Sequence, residues 1–310
     1  MSKRQKKSPE NEERPAEPAS PPSPAGPPPH VVCVGASAGG LEPVQQYFAA
    51  MPTDTGAAFV LVLHLSPDFK SMMPELLSKH TTMPVATVEQ DAPLTPNAIH
   101  LIPPSMNMVI KDGCLHLYEQ DRTPGRPVNS PIDMFLDSMA DQYGPECVAV
   151  ILSGTGSDGS RGIENVKDAG GFVLVQDPES AKFDGMPLSA IHTRVVDECA
   201  EPKGLASITA DLLQNRLPKI RKAVEEGGAH DGQALTIVET LKHVTAIDFR
   251  YCRESMLMRR VRRRMALLGS VSVTEYTDYL NGNPEEVRRL GEDLLIGVTS
   301  FFRDERAFET

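Results

Sequence analysis

Three residues that can act together in nucleophilic catalysis each stand directly behind a short apolar run. Ser37 lies in Gly35-Ala36-Ser37-Ala38-Gly39-Gly40, after Val31–Val34. His64 follows Phe59-Val60-Leu61-Val62-Leu63, and Asp158 lies in Ser153-Gly154-Thr155-Gly156-Ser157-Asp158-Gly159, after Cys147–Leu152. A hydroxyl, an imidazole and a carboxylate on one rim are the parts of Ser-His-Asp chemistry. Ser37 would attack, His64 would take its proton, and Asp158 would hold the ring and stabilise the imidazolium. The Gly-x-Ser-x-Gly spacing fits a tight strand-to-helix turn that presents its serine at the tip. Each residue also has a plainer reading. A glycine-rich turn opening a helix can cradle phosphate instead, which keeps a nucleotide-binding module as an alternative. A dinucleotide fingerprint, however, needs glycine where Ser37 sits, and no Walker lysine follows. Asp158 could simply cap the helix that starts near Arg161, and Asp133, Asp177 and Asp184 are rival carboxylates. Among eight histidines, His64 is selected by position, whereas His100 and His116 sit in apolar alternation and read as structural.

These residues need a scaffold that brings strand ends to one rim. From His30 to about Asn215, apolar stretches of four to six residues alternate with helical segments. The expected strands are 31–34, 58–63, 84–88, 99–102, 147–152, 172–175 and 195–197. The expected helices are 41–50, 72–80, 132–142, 161–169, 188–192 and 205–214. Strands that are apolar throughout are covered on both faces, so the pattern predicts a doubly wound, mostly parallel α/β/α sheet. Segments 108–110 and 115–118 flank Lys111-Asp112-Gly113, an antiparallel hairpin signal placed at an edge. In such a sheet, sites form beyond the carboxyl ends of the strands.

The flanking segments differ. Residues 1–29 are rich in Pro, Glu, Ser and Lys and read as a disordered tail, with no apolar stretch of a signal peptide. Residues 216–234 read as a polar, glycine-rich linker, and 235–310 as a small all-helical domain with helices near 235–243, 253–268, 275–280 and 285–296. The chain of 310 residues carries a net charge of -11, which argues against nucleic acid as a partner. No apolar run is long enough to insert in a membrane. Five scattered cysteines without a C-x-x-C pair suit a reducing cytoplasm and indicate neither disulfides nor a metal site.

The segments Val34-Gly-Ala-Ser37-Ala-Gly-Gly40, His64-Leu-Ser-Pro-Asp-Phe69, Leu152-Ser-Gly-Thr-Gly-Ser-Asp158-Gly-Ser-Arg-Gly162 and Asp184-Gly-Met-Pro-Leu-Ser-Ala-Ile191 resemble the CheB-type chemotaxis methylesterase domain over about residues 30–213. That resemblance implies hydrolysis of glutamyl methyl esters on receptor signalling helices, with a related glutamine deamidation, and no cofactor. It assigns the triad to Ser37, His64 and Asp158, and the oxyanion-holding amides to His64 and Thr155. Ala38 stands where many members carry threonine, and Thr155 where many carry methionine.

The segments Ile247-Asp-Phe-Arg-Tyr251, Leu257-Met-Arg-Arg-Val-Arg-Arg-Arg-Met265 and Asp293-Leu-Leu-Ile-Gly-Val-Thr299-Ser-Phe-Phe-Arg303-Asp304 resemble the N-terminal domain of a CheR-type receptor methyltransferase. Leu257, Val261, Met265 and Leu268 form an apolar stripe, with Arg259, Arg260, Arg263 and Arg264 fanned over the rest of the helix. This predicts an exposed basic face for acidic receptor helices, with Arg259, Arg260 and Arg263 binding the substrate; an ordinary solvated face is the plainer reading. Thr299, Phe302 and Arg303 resemble one lip of an S-adenosylmethionine site, a cofactor expected only of a longer parent chain. The combined expectation is a truncated CheB/CheR hybrid with one complete, cytoplasmic esterase. A non-catalytic receptor adaptor is the alternative.

Overall fold

The computed structural model describes residues 28–63, 72–121, 129–218, 231–252, 254–269 and 272–301. The chain opens with β1 (Val31–Ala36), α1 (Leu41–Ala50) and β2 (Ala58–Leu63). It continues through α2 (Met73–Ser78), β3 (Val85–Thr87), β4 (Ala92–Pro93), β5 (Ile99–Leu101), β6 (Met106–Lys111) and β7 (Cys114–Glu119). Next come α3 (Pro131–Tyr143), β8 (Cys147–Ile151), α4 (Ser160–Asp168), β9 (Phe172–Gln176), α5 (Gly185–His192), β10 (Glu198–Ala200) and α6 (Pro202–Asp211), which runs on into a π-helical turn, Leu212–Arg216.

Seven strands form one sheet in the order β10-β9-β8-β1-β2-β5-β3, and every pairing in it is parallel. β1 is central and fully buried, so its alternating side chains serve two cores. Val32, Val34 and Ala36 join the cluster under α1 and α6, while Val31 and Cys33 join the one under α3 and α4. From β1 the chain first winds toward β2, β5 and β3, then returns past β1 to β8, β9 and β10. The winding therefore reverses between β1 and β8, and the crevice outside their carboxyl ends is where doubly wound sheets bind ligands.

Two expectations change here. The 106–119 hairpin is not an edge of the main sheet. With β4 it forms a separate antiparallel sheet of order β4-β7-β6 against α3, where Ser138 Oγ accepts the Ile110 amide at 3.0 Å. The last strand starts at Glu198, not Val195, because Asp197 spends its side chain on a buried ion cluster and on the Val173 amide (2.9 Å).

Beyond the α/β unit lie α7 (Asp231–Thr245), α8 (Glu254–Leu268), α9 (Val273–Gly282) and α10 (Pro284–Phe301). Ile237, Leu241, Leu257, Val261, Tyr276 and Leu290 anchor their core. Leu268, expected in the apolar stripe, is 41 % exposed, because it is the last residue of α8, just before the left-handed Gly269. Among the described residues no helix is long and apolar enough to cross a membrane.

Candidate active site

The local sequence after β1 forces a tight reversal. Gly39 sits at φ +69°, a left-handed conformation that disfavours side chains, and a Cβ there would lie 2.7 Å from the Phe183 ring. Gly40 then caps α1, its amide donating to Ser37 O at 2.9 Å. Half-buried Ser37 is thus left at the strand tip, where its amide extends the β1–β8 ladder by donating to Ser153 O at 3.0 Å. The loop after β8 approaches from the other side of the crevice. A Cβ on Gly154 would stand 2.9 Å from Ser37 Cβ, so only glycine lets that backbone come so near. The next residue, Thr155, is exposed, and its amide donates to no described residue.

Asp158 ends this loop beside α3. Its carboxylate accepts the Ile132 and Asp133 amides, each at 3.0 Å, which are orphan donors of the first turn of α3. Asp133 returns the service to α4, accepting the Gly162 amide at 2.8 Å. Asp158 therefore does cap a helix, but α3 rather than the helix that follows it in sequence. An ionised carboxylate has about four acceptor positions, so its chemistry allows it to accept an imidazole N–H as well as backbone amides. Burial pushes the Asp133 carboxyl up from its ordinary range, with the neighbouring Asp158 adding to the rise.

Two of the three rival carboxylates have other work, while Asp184 stands at the start of α5 without a side-chain cap bond. Asp177 accepts the Glu179 amide at 3.1 Å to cap a short turn, and Asp133 is committed to α4. His100 takes the Thr95 amide at 3.1 Å and His116 pairs with Asp91 at 2.7 Å, so both are structural as expected. Cys147 is no competing nucleophile, since burial pushes its thiol up to about 12. The structure thus sets Ser37 against the Gly154 backbone, with Thr155 next in the same loop and Asp158 three residues further on, beside the start of α3. His64 lies outside the described residues, although β2 ends level with β1 through the Ala36–Leu63 pairing. Phe302 and Arg303 also lie outside them; Thr299 falls within α10, and nothing is described of its side chain.

Sequence reasoning missed Ser153 and Gln176. Ser153 is fully buried, and its Oγ accepts the Phe183 amide at 3.0 Å and lies 3.2 Å from both Ala38 O and Phe183 O. Gln176 Oε1 accepts the Ser153 amide at 2.8 Å, and Gln176 Nε2 donates to Ser180 O at 3.1 Å. A glutamine closing the apolar run Phe172–Val175 was the available signal, because a polar residue at the buried end of a central strand needs a partner.

The arginine row corrects the expectation of an exposed basic face. Arg260 and Arg263 are 0 % and 2 % exposed, and they point at the α/β unit rather than at solvent. Arg260 donates to Lys167 O and pairs with Asp168 at 2.8 Å. Arg263 pairs with Asp197 and with Asp293 (2.9 Å), donates to Gly171 O at 3.0 Å, and stacks over Phe172 at 5.6 Å. Lys167 completes the cluster with Asp197 at 2.9 Å. Burial lowers the Lys167 amine, and burial would raise Asp197, yet the Arg263 and Lys167 cations hold that carboxyl below its ordinary range. Arg264 turns the other way, forking onto Glu286, which also accepts Tyr276 Oη at 2.9 Å. Arg259 is half-buried against Gly170. Lys167, Gly171, Phe172 and Asp197 all mark the amino ends of β9 and β10, so α8 docks at the end of the sheet opposite Ser37. The partners of these arginines are spread over distant segments, which is why a helix read alone suggested an exposed face.

A parallel α/β unit with a serine turn at its topological switch point defines a class of hydrolase-like scaffolds. The comparisons narrow it. Residues 32–208 match the model of the CheB methylesterase family, and residues 235–295 match the CheR methyltransferase all-alpha domain. The chain belongs to the CheB methylesterase family. It is 38% identical over 257 residues to an uncharacterized 104.1 kDa protein of Rhodobacter capsulatus, covering 76% of this chain and 27% of that one. It is 31% identical over 191 residues to the protein-glutamate methylesterase FrzG of Myxococcus xanthus, covering 61% of this chain and 55% of FrzG. The chain therefore spans between about a quarter and a half of these two relatives. The crystal structure of the Thermotoga maritima CheB methylesterase catalytic domain superposes with a TM-score of 0.54 at 25% identity, over 59% of this chain and 98% of that domain.

Proposed function

We propose that this chain is a serine esterase that hydrolyses glutamate methyl esters on the cytoplasmic helices of sensory receptors. The observation that carries the reading is the placement of Ser37 at the switch-point crevice, with the Gly154 backbone against its side chain. In this mechanism Ser37 Oγ attacks the ester carbonyl while His64 removes its proton. The resulting oxyanion is received by the backbone amides of Thr155 and His64, and methanol leaves with the proton from His64. Water then hydrolyses the glutamyl ester on Ser37 by the reverse proton path. Asp158, anchored by the amides of α3, orients His64 and stabilises its charged form. The chemistry uses side chains and backbone alone. Glutamine side chains are a second substrate by the same route, with ammonia as the leaving group, in keeping with relatives named protein-glutamate methylesterase/protein-glutamine glutaminase. The test is methanol release from a peptide carrying γ-methyl glutamate. The chain should release methanol, and Ser37→Ala and His64→Ala should each abolish it, the double variant losing little more because the members act as a unit. Retained turnover in Ser37→Ala would refute the reading.

A further inference from the structure

Ser153 is buried at the meeting point of three segments that carry the site. Its carbonyl accepts the Ser37 amide at 3.0 Å, which fixes the nucleophile turn to the end of β8. Its hydroxyl accepts the Phe183 amide at 3.0 Å and has one proton to give, to Ala38 O or Phe183 O, both at 3.2 Å. Its own amide donates to Gln176 Oε1 at 2.8 Å. Phe183 O in turn accepts the Gly154 amide at 3.0 Å, and Gly154 O accepts the Met186 amide at 2.9 Å. Thr155, the next residue, inherits its position from this knot.

We propose that Ser153, locked by Gln176, is a positioning residue that sets the Thr155 amide against Ser37. The proposal rests on the esterase reading above. Neither side chain touches the reacting atoms. Ser153 ties the turn at Ala38 to the 182–186 segment, and Gln176 fixes the rotation of the Leu152–Ser153 peptide at the head of the loop that carries Gly154 and Thr155. An oxyanion donor works only within about 2.7–3.1 Å of where the charge develops, so a small shift of the loop costs turnover rather than substrate binding. Both side chains are neutral, so they hold this geometry without adding a charge that would perturb His64 or Asp158. Burial makes the arrangement strict, since an unpaired polar group at this depth costs about 1–3 kcal/mol.

The experiment compares the full chain with Ser153→Ala, Gln176→Met, the double variant and Ser37→Ala. Each is assayed for methanol release from a γ-methyl-glutamyl peptide, and each that keeps Ser37 is assayed for the rate at which a fluorophosphonate labels it. For Ser153→Ala the expected result is a fall in kcat of about 100-fold, the scale of a small misplacement at a reacting centre. KM should stay within about threefold, and labelling should slow in step with kcat. Gln176→Met should fall by about tenfold, and the double variant should lie within about threefold of Ser153→Ala, because both act through one loop. Should Ser153→Ala fail to fold, Gln176→Met carries the same kcat-against-KM comparison. If Ser153→Ala or Gln176→Met kept its kcat, or raised only KM, while Ser37→Ala was inactive, the positioning role would be overturned and the esterase reading would stand. A double variant whose loss was the product of the singles would also overturn it. If Ser37→Ala matched the parent, the esterase reading itself would fall, and this proposal with it.

Discussion

The carboxyl and amino ends of the central strands both bury polar groups, and they satisfy them by different means. At the carboxyl end, Ser37, Ser153, Gln176 and the 182–186 segment are joined by neutral hydrogen bonds between backbone, hydroxyl and amide. At the amino end, Lys167, Asp197, Arg263 and Asp293 meet as four buried charges. The proposed catalytic crevice must leave its own titrating groups free to change charge during turnover, and neutral partners hold a backbone without coupling to that change. A docking surface has no such demand. It needs to fix one helix in one orientation, and forked arginine pairs do that with directional contacts.

The ionic end should give the largest response to a single substitution. Asp197→Ala leaves Arg263 and Lys167 as buried cations with one partner fewer, and also strands the Val173 amide. The expected loss is about 3–5 kcal/mol, read as a lowered midpoint in urea unfolding. At the neutral end, Gly154→Ala forces a methyl group against Ser37 Cβ and Met186. That overpacking should cost about 1–3 kcal/mol of stability, and turnover should fall by about 100-fold because the nucleophile moves. The comparison breaks if Gly154→Ala destabilises more than Asp197→Ala.

The loops that hold Ser37 and Asp158 were legible in the sequence and little of the docking end was, for a physical reason. Ser37 and Asp158 sit in short glycine-bearing loops directly after apolar strands, so local pattern and sheet geometry suffice to place them. The partners of Asp158 were less visible: its carboxylate caps α3, 25 and 26 positions back in the chain, and capping across loops leaves no periodic trace. The arginine row failed for the same reason. Its helical spacing is local, but Asp168, Asp197 and Asp293 come from three separate segments. A run of arginines looks the same in sequence whether it meets water or buried carboxylates. The separate sheet β4-β7-β6 was missed because a hairpin signal fixes its own turn and says nothing of which sheet it joins.

Acid should separate the two ends by sign. Asp197 is held below its ordinary range in the fold, so its contribution is full above the unfolded carboxylate pKa and is lost as pH falls through the folded value. Asp133, at the rim, is raised by burial, so protonation in the window just above the unfolded value favours the fold. Asp133→Asn should therefore flatten the stability profile just above about pH 4, while Asp197→Asn should flatten it below that, relative to the parent. Thermal midpoints across a pH series check both, and matching profiles for the two variants would remove the distinction.

The smallest effect is expected from Arg262, which shares α8 with Arg263 and the same charge. It is half-buried and forms no ion pair with a described residue. Arg262→Glu should shift stability by no more than about 0.5 kcal/mol, as surface changes away from packed features do. Arg263→Glu should lose several-fold more, because it sets a carboxylate against Asp197 and Asp293. Both substitutions make a chain of net charge -11 more acidic by the same amount. Any penalty from overall charge is therefore common to the pair, and the difference between them isolates the buried contacts. Turnover at Ser37 should be unchanged in Arg262→Glu, since α8 docks at the far end of the sheet. Equal losses in the two variants would mean that net charge, and not the clasp of Arg263 on Asp197, holds the helical module in place.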